Sequence, residues 1–491
     1  MRNFSWTILK NSAFGLAAQL LIKVLAFAFS ILIVRRLGAE TFGQYSIVLA
    51  FAASFSIFSD LGLAPYTVRQ VARWKDDPDG LEKTGKLYAN ILILRIALSI
   101  LTTLVVVGVA LLSHRPTLLV GAIAFNSLSF LLYAVQGSGE AILGGVERLD
   151  LTAGTKVLYQ LVFVLGGAAV LYLGIGYLGL IGVNLIGVAI MAIVTWRMVR
   201  SQGIGLGRWD ARLWPGLLKA SIPFGLIGLA LGLSYKYDSL LLGIFRGDAE
   251  TGYYNAAYNL VFSILVISNV INTAIYPTLS RKVVSEPHDL PRIVERALGY
   301  LLFFALPVAV GGSLLADKLV VFLYTASYAP TIPALQIIIW VVPFMFVTEF
   351  LGYVVVITDQ ESRVARAVLV STGINVLLNS YFVPRFGYLA AAVMTVFTEI
   401  ILVGQHAHTL WSLIKKLNWK RIFLKPSIGL ISMACVVLFL KGTYHIMIVI
   451  LSGISIYMLS LYLLGVIGRE DLSLIHFQRN QSHHSSEIGS D

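Results

Sequence analysis

Apolar runs of about 20 residues or more alternate with short polar segments along nearly the whole chain. A bilayer core needs about 20 apolar residues of helix, each rising about 1.5 Å. On that criterion the pattern predicts spans near residues 13–35, 43–67, 87–112, 117–139, 156–174, 177–196, 218–244, 253–277, 296–316, 331–357, 365–383, 387–411, 424–440 and 443–467. Short turns such as Gly174–Gly179 and Val383–Gly387 mark tight helical hairpins. The first run ends in Arg35-Arg36 and exceeds the length of a signal-peptide core, so it is expected to stay as the first helix. The polar tail 468–491 is expected to be disordered, with His483 and His484 solvated rather than bound to metal.

Composition agrees with the pattern. Of 491 residues 57% are hydrophobic and 13% charged, against about 25% charged in a soluble domain. That much apolar surface cannot be hidden in soluble cores, so much of it must face lipid. The net charge of +12 does not indicate nucleic acid, because the basic residues sit in short clusters between apolar runs. Cys435 is the one cysteine, which excludes an internal disulfide and Cys-ligated metal; inside an apolar run it reads as a small buried packing residue. With the N-terminus in the cytoplasm, inward segments hold 27 of the 37 Lys and Arg residues, outward segments 7, and spans the remaining 3. A miscounted span would reverse every later loop and destroy this bias. The expectation is an all-α, multi-pass protein of the cell (inner or plasma) membrane, with about fourteen helices and both termini cytoplasmic.

An internal repeat runs through the first twelve spans. Leu9-Lys10-Asn11-Ser12 recurs as Leu218-Lys219-Ala220-Ser221, and Ala39-Glu40-Thr41 with Gly43 and Tyr45 recurs as Ala249-Glu250-Thr251 with Gly252 and Tyr254. Tyr66-Thr67 matches Tyr276 and Thr278, and the common offset is 209 to 211 residues. Six helices per unit is even, so both copies start on the same side and form a parallel repeat with a central cleft. The division expected is an N-terminal six-helix lobe over 1–212, a second over 213–417, two additional helices over 418–467, and the tail.

Charges inside spans are costly, at about 2.5–3.5 kcal/mol each near mid-bilayer, and so single out candidate sites. Lys23 lies near the middle of the first helix. Asp60 and Arg95 lie at similar depth on adjacent antiparallel helices, as a structural ion pair or a switch. Lys236 and Asp238 are two residues apart and point to nearly opposite faces, so each needs its own surroundings. Asn255 and Asn259 share one helix face, and Tyr254 and Tyr258 another; amides and rings suit sugars, though tyrosines also anchor membrane boundaries. Glu349 and Glu399 are lone carboxylates within spans, suited to proton coupling or to a neutral structural role. Asn375 and Asn379 share a face suited to hydrogen bonding between helices, and Gly228-x-x-x-Gly232 suits close packing. Pro65, Pro223, Pro277, Pro307 and Pro343 allow the helices to bend. Gly137-Ser138-Gly139 and Gly203-Ile204-Gly205 follow no strand, and no P-loop, HExxH or nucleophile elbow is present.

Several stretches carry a family resemblance. They are Arg35-Arg36-Leu37-Gly38 through Phe42-Gly43-Gln44-Tyr45-Ser46, Asp60-Leu61-Gly62-Leu63, Ser221-Ile222-Pro223-Phe224, Tyr235-Lys236-Tyr237-Asp238, Gly252 to Tyr258, and Pro277 to Arg281. Asn375 to Asn379, Pro384, Gly387, Ala390-Ala391-Ala392 and Glu399 complete the set. In these the chain resembles Wzx-type polysaccharide and O-antigen flippases, in a superfamily shared with multidrug and toxic compound extruders and lipid II flippases. The resemblance implies two six-helix lobes, two extra helices and a V-shaped, partly cationic cavity. It implies alternating access that flips a polyprenyl-diphosphate-linked oligosaccharide to the outer leaflet for cell-surface polysaccharide. Lys23 and Lys236 would be cavity cations, with Arg95, Asn255, Asn259, Tyr254 and Tyr258 as substrate contacts. Asp60, Asp238 and Glu399 match family positions to which the resemblance gives no fixed role; as charges within spans they and Glu349 are the candidates for coupling or gating. The expected partners are the lipid-linked oligosaccharide, membrane lipids, and a polymerase and glycosyltransferases of the same pathway, with no nucleic acid. No cofactor or metal is expected, with coupling to H⁺ or Na⁺ left open. A multidrug extruder is the rival within the fold; a polysaccharide polymerase or ligase is the enzyme rival and normally carries a large outward loop.

Overall fold

The computed structural model describes residues 22–113, 115–285 and 287–465. The expected tail and the repeat partner at Leu9–Ser12 lie outside those residues. Among the described residues every regular element is helical, as hydrocarbon demands when each backbone N–H and C=O must be bonded internally.

Helix α1 is described over 22–37. It is followed by α2 (Ala39–Phe55), α3 (Leu63–Arg73), α4 (Gly80–Leu112), α5 (Thr117–Gly145), α6 (Leu149–Tyr172) and α7 (Gly176–Ser201). The second half runs α8 (Trp214–Phe245), α9 (Asp248–Ser285), α10 (Leu290–Leu314), α11 (Ala316–Leu323), α12 (Thr331–Ile338), α13 (Val341–Ile357), α14 (Glu361–Thr409), α15 (Trp411–Ile414), α16 (Trp419–Leu440) and α17 (Ile446–Leu463). Eleven helices among the described residues are long and apolar enough to cross a membrane. One of them, α14, has 49 residues and turns at Gly387 (φ 69, ψ −152); at about 1.5 Å per residue it is long enough to cross twice.

Two expected spans are not continuous helices. The run 43–67 breaks after α2 into a short 3₁₀ turn, Ser56–Ser59, and then α3. Leu61 (φ 48) and Gly62 (φ 80) take left-handed backbone that no α-helix can continue. The Asp60 carboxylate accepts from the Ala64 amide at 3.2 Å, so α3 starts on a capped end. The run 331–357 remains one membrane-length span with an irregular step at Ile339–Trp340 between α12 and α13, and Pro343 sits in the first turn of α13, a place that tolerates its missing N–H. Cys435 is a further correction: it is exposed on α16, not buried. An apolar run shows that a helix meets lipid or core, but not which face does so.

Helices α4–α7 pack on one another, α8–α14 form a second group, and α16 and α17 pair against α10. The groups meet where α2 lies against α8 and α9. The repeat-related glycines lie at this crossing. A Cβ on Gly43 would collide with the Asp248 carbonyl, and one on Gly252 with the Ala39 carbonyl. The contact is therefore reciprocal, as across a two-fold interface, between the two stretches that the sequence repeat pairs.

Candidate functional site

A cavity of about 240 Å³ lies between the two groups. Helix α1 offers Ala26, Ser30 and Ile33 to it, at helical spacing, and Lys23 lies on the same stripe one turn further back and is exposed. Helix α2 contributes Tyr45 and Ser46, α6 contributes Tyr159 and Gln160, and α8 and α9 contribute Lys236, Asn255 and Asn259. Lys236 is the charged residue among the described residues lining the cavity. Its Nζ lies 4.9 Å from the centre of the Tyr258 ring, which itself stacks on Phe262 at 3.8 Å. A cation–π contact is worth about 0.5–2 kcal/mol, less than the several kcal/mol that an ammonium loses on leaving water. The Tyr258 ring therefore does not by itself compensate the ammonium.

Asp238 points the other way, as the two-residue spacing requires. It is 4% exposed, accepts from the Tyr254 hydroxyl, and accepts from the Ser239 amide at 2.7 Å. Tyr254 also contacts Thr395 Oγ1 at 3.1 Å and is fully buried, so it braces Asp238 inside the lobe instead of facing the cavity. Asn255 donates to the Thr251 carbonyl at 2.9 Å, and its Oδ1 accepts from Ser239 at 3.2 Å.

Arg95 and Asp60 meet at 3.1 Å inside the first group, away from the cavity lining. Ser138 Oγ lies 3.4 Å from the guanidinium, and Gly137 leaves the space into which it fits. Glu349 accepts from Ser268 at 2.6 Å and from Asn272 at 3.3 Å, between α13 and α9. Glu399 lies on the facing helix α14. Asn375 donates to Thr398 at 3.1 Å, tying the two halves of α14 together across the Gly387 turn.

Both ends of the interface are closed. At the end opposite the basic loops, Arg115 pairs with Asp248 at 2.9 Å and Gln44 donates to the same carboxylate at 3.1 Å. Arg35 donates to the carbonyls of Phe322 and Leu323, and Tyr328 to that of Val34 at 3.0 Å. Toward the basic end, Gly62 meets Ser221 and Gly225 of α8, and the Arg69 guanidinium lies 5.0 Å over the Phe224 ring. The sequence reading missed Gln160, Tyr159, Ser30 and Ser46, and counted Arg115 only as a loop charge. Uncharged polar residues at membrane depth were the available signal for the first four.

A second cavity of about 510 Å³ is almost wholly apolar and lies on the other side of α1 and α9. Phe27, Leu260 and Ile264 face it, next to Ala26 and Asn259 of the polar cavity. Helices α10, α16 and α17 close it through residues such as Phe304, Met433 and Tyr457.

Comparison with known proteins gives the same direction. The profile of a family described as "Polysaccharide biosynthesis protein" matches residues 8–283. A "Probable low-salt glycan biosynthesis flippase Agl15" from Haloferax volcanii is 19% identical over 384 residues, 77% of this chain and 78% of that protein. Among solved structures, a lipid II flippase MurJ in an inward closed conformation superposes with a TM-score of 0.78 at 18% identity, covering 92% of this chain and 99% of the other. An inward-facing multidrug resistance MATE family transporter gives 0.61 at 13% identity, covering 80% and 95%.

Proposed function

The chain belongs to the polysaccharide biosynthesis protein family, and on that premise we propose that it flips a lipid-linked oligosaccharide from the cytoplasmic to the outer leaflet by alternating access. The observation that carries this reading is the pair of cavities on the two sides of α1 and α9. The polar one offers Lys236, three amides and hydroxyls; the apolar one offers a wall of aliphatic and aromatic side chains. A molecule with an anionic, hydroxyl-rich head and a long hydrocarbon tail matches both surfaces at once. Its phosphate would pair with Lys236 after entering past Lys23, with Asn255, Asn259 and Gln160 toward the sugar. Asp238, Glu349 and Glu399, held in polar clusters inside the second lobe, are the groups we propose for coupling to H⁺ or Na⁺. We place the basic loops and both termini in the cytoplasm, where glycosyltransferases would supply the substrate; a polymerase would consume it on the other side.

A multidrug extruder shares the fold, but a cavity whose described lining carries a cation and no carboxylate repels cationic drugs. The described loops at the end opposite the basic one, such as 246–247 and 441–445, are too short to hold the catalytic domain of a polymerase. The test is binding of a fluorescent lipid-linked oligosaccharide to purified protein. Lys236→Ala should weaken it by about ten-fold or more, the loss of one charge-assisted contact at low dielectric, and Lys236→Arg should keep most of it. Equal affinity in all three proteins would remove Lys236 from the site.

A further inference from the structure

The segment joining α14 to α16 is amphipathic in an unusual way. Leu413, Ile414, Leu417 and Ile422 are buried against the bundle. The opposite side exposes Lys415, Lys416, Lys420 and Arg421, with Trp411 61% exposed at one end and Trp419 42% exposed nearby. Lys425 follows in the first turns of α16, and no Asp or Glu occurs between Glu399 and Glu470.

In the loops around 75–83 and 140–156, by contrast, basic residues are paired with nearby carboxylates. Lys75 pairs with Glu147 at 2.5 Å, Lys156 with Glu140 at 2.5 Å, and Arg148 with Asp150 at 3.0 Å. Lys83 donates to Asp77 at 2.5 Å, which holds that carboxyl below the usual carboxylate range. Around the 411–425 elbow the described acidic contact is Glu295 of α10. It accepts from the Asn418 amide at 3.0 Å and lies 3.8 Å from Arg421. Glu295 is itself flanked on α10 by the exposed Arg292 and Arg296. The excess of positive charge is therefore uncompensated and sits beside tryptophans at the depth where a bilayer presents its phosphates.

We propose that the 411–425 elbow, with Arg292 and Arg296, is a docking surface for anionic phospholipid headgroups in the leaflet it faces. Its lysines run from the end of α15 into the first turns of α16, over about ten residues, and a row of several headgroups matches that spread better than one phosphate. Lipids held there would fix the feet of α10 and α16, two of the helices that wall the apolar cavity. This inference does not depend on which substrate the transporter carries.

Native mass spectrometry of the full-length protein released from nanodiscs of mixed anionic and zwitterionic phospholipid tests it. Wild type should retain anionic phospholipid, and the variant K415Q/K416Q/K420Q/K425Q should retain roughly ten-fold less, since each basic residue near an anionic surface contributes measurably. The variant K415R/K416R/K420R/K425R should retain as much as wild type. Should the neutral variant fail to fold, a photoreactive anionic phospholipid on wild type should label peptides within 411–425 above a zwitterionic analogue. Equal retention in wild type and a folded neutral variant, equal labelling by both lipids, or retention of polyprenyl phosphate without phospholipid would each overturn the proposal.

Discussion

Asp60 and Arg95 meet at 3.1 Å with side chains only 20% and 8% exposed. Removing one partner of such a buried pair strands the other charge and typically costs about 3–5 kcal/mol, more than removing both. Asp60→Ala and Arg95→Ala should therefore each lower folded yield and melting temperature sharply, and the double variant should lose less than the two losses added. Additive losses would mean that the contact contributes nothing in the membrane. This pairing was legible in the sequence because counting from span ends set both residues at one depth. The opposite facing of Lys236 and Asp238 was legible for a similar reason, the 100° step of a helix. What residue spacing could not reveal was occupancy. Tyr254 reads as a sugar contact until its hydroxyl is seen committed to Asp238. Arg95 reads as a substrate cation until Asp60, Ser138 and the space left by Gly137 are seen around it.

At the scale of elements, the seam between α8 and the segment joining α2 to α3 depends on what each glycine of α8 faces. A Cβ on Gly225 would stand 2.8 Å from the Leu61 carbonyl, which is backbone held by the Asp60 cap. One on Gly228 would stand 2.7 Å from Ile57 Cδ1, the free end of a flexible side chain. Gly225→Ala should therefore push α8 away from the turn that precedes α3, whereas Gly228→Ala should be absorbed by a rotamer change. A cysteine at Ser59, 7% exposed in the 3₁₀ turn that packs on α8, should then react with a water-soluble thiol reagent faster in the Gly225→Ala background than with Gly228→Ala. Equal rates in the two backgrounds would contradict the seam. Hydropathy found the spans but not their interruptions, because Leu61 and Gly62 look as apolar as their neighbours and only their positive φ breaks the run. The same limit explains Cys435, whose place in an apolar stretch was visible and whose outward face was not.

For the whole molecule, the sequence carried more than usual. Parity of the basic loops constrained topology, and the repeat named in advance the two stretches that cross at Gly43 and Gly252. The adjoining apolar cavity stayed hidden, since aliphatic residues facing a void and aliphatic residues facing lipid have the same composition. Topology is checked by labelling in intact cells with Cys435→Ser as background: Asp79→Cys and Ser412→Cys should react only after the cytoplasm is opened, and Thr443→Cys from outside. Labelling of all three from one side would break the span count. The most direct test of transport itself is flipping in proteoliposomes of purified protein. A fluorescent lipid-linked oligosaccharide should become accessible to a membrane-impermeant quencher with wild type and stay protected with Lys236→Ala, while a cationic dye is not moved by either. Transport of the dye without transport of the lipid-linked sugar would contradict the flippase reading and make the extruder the better description.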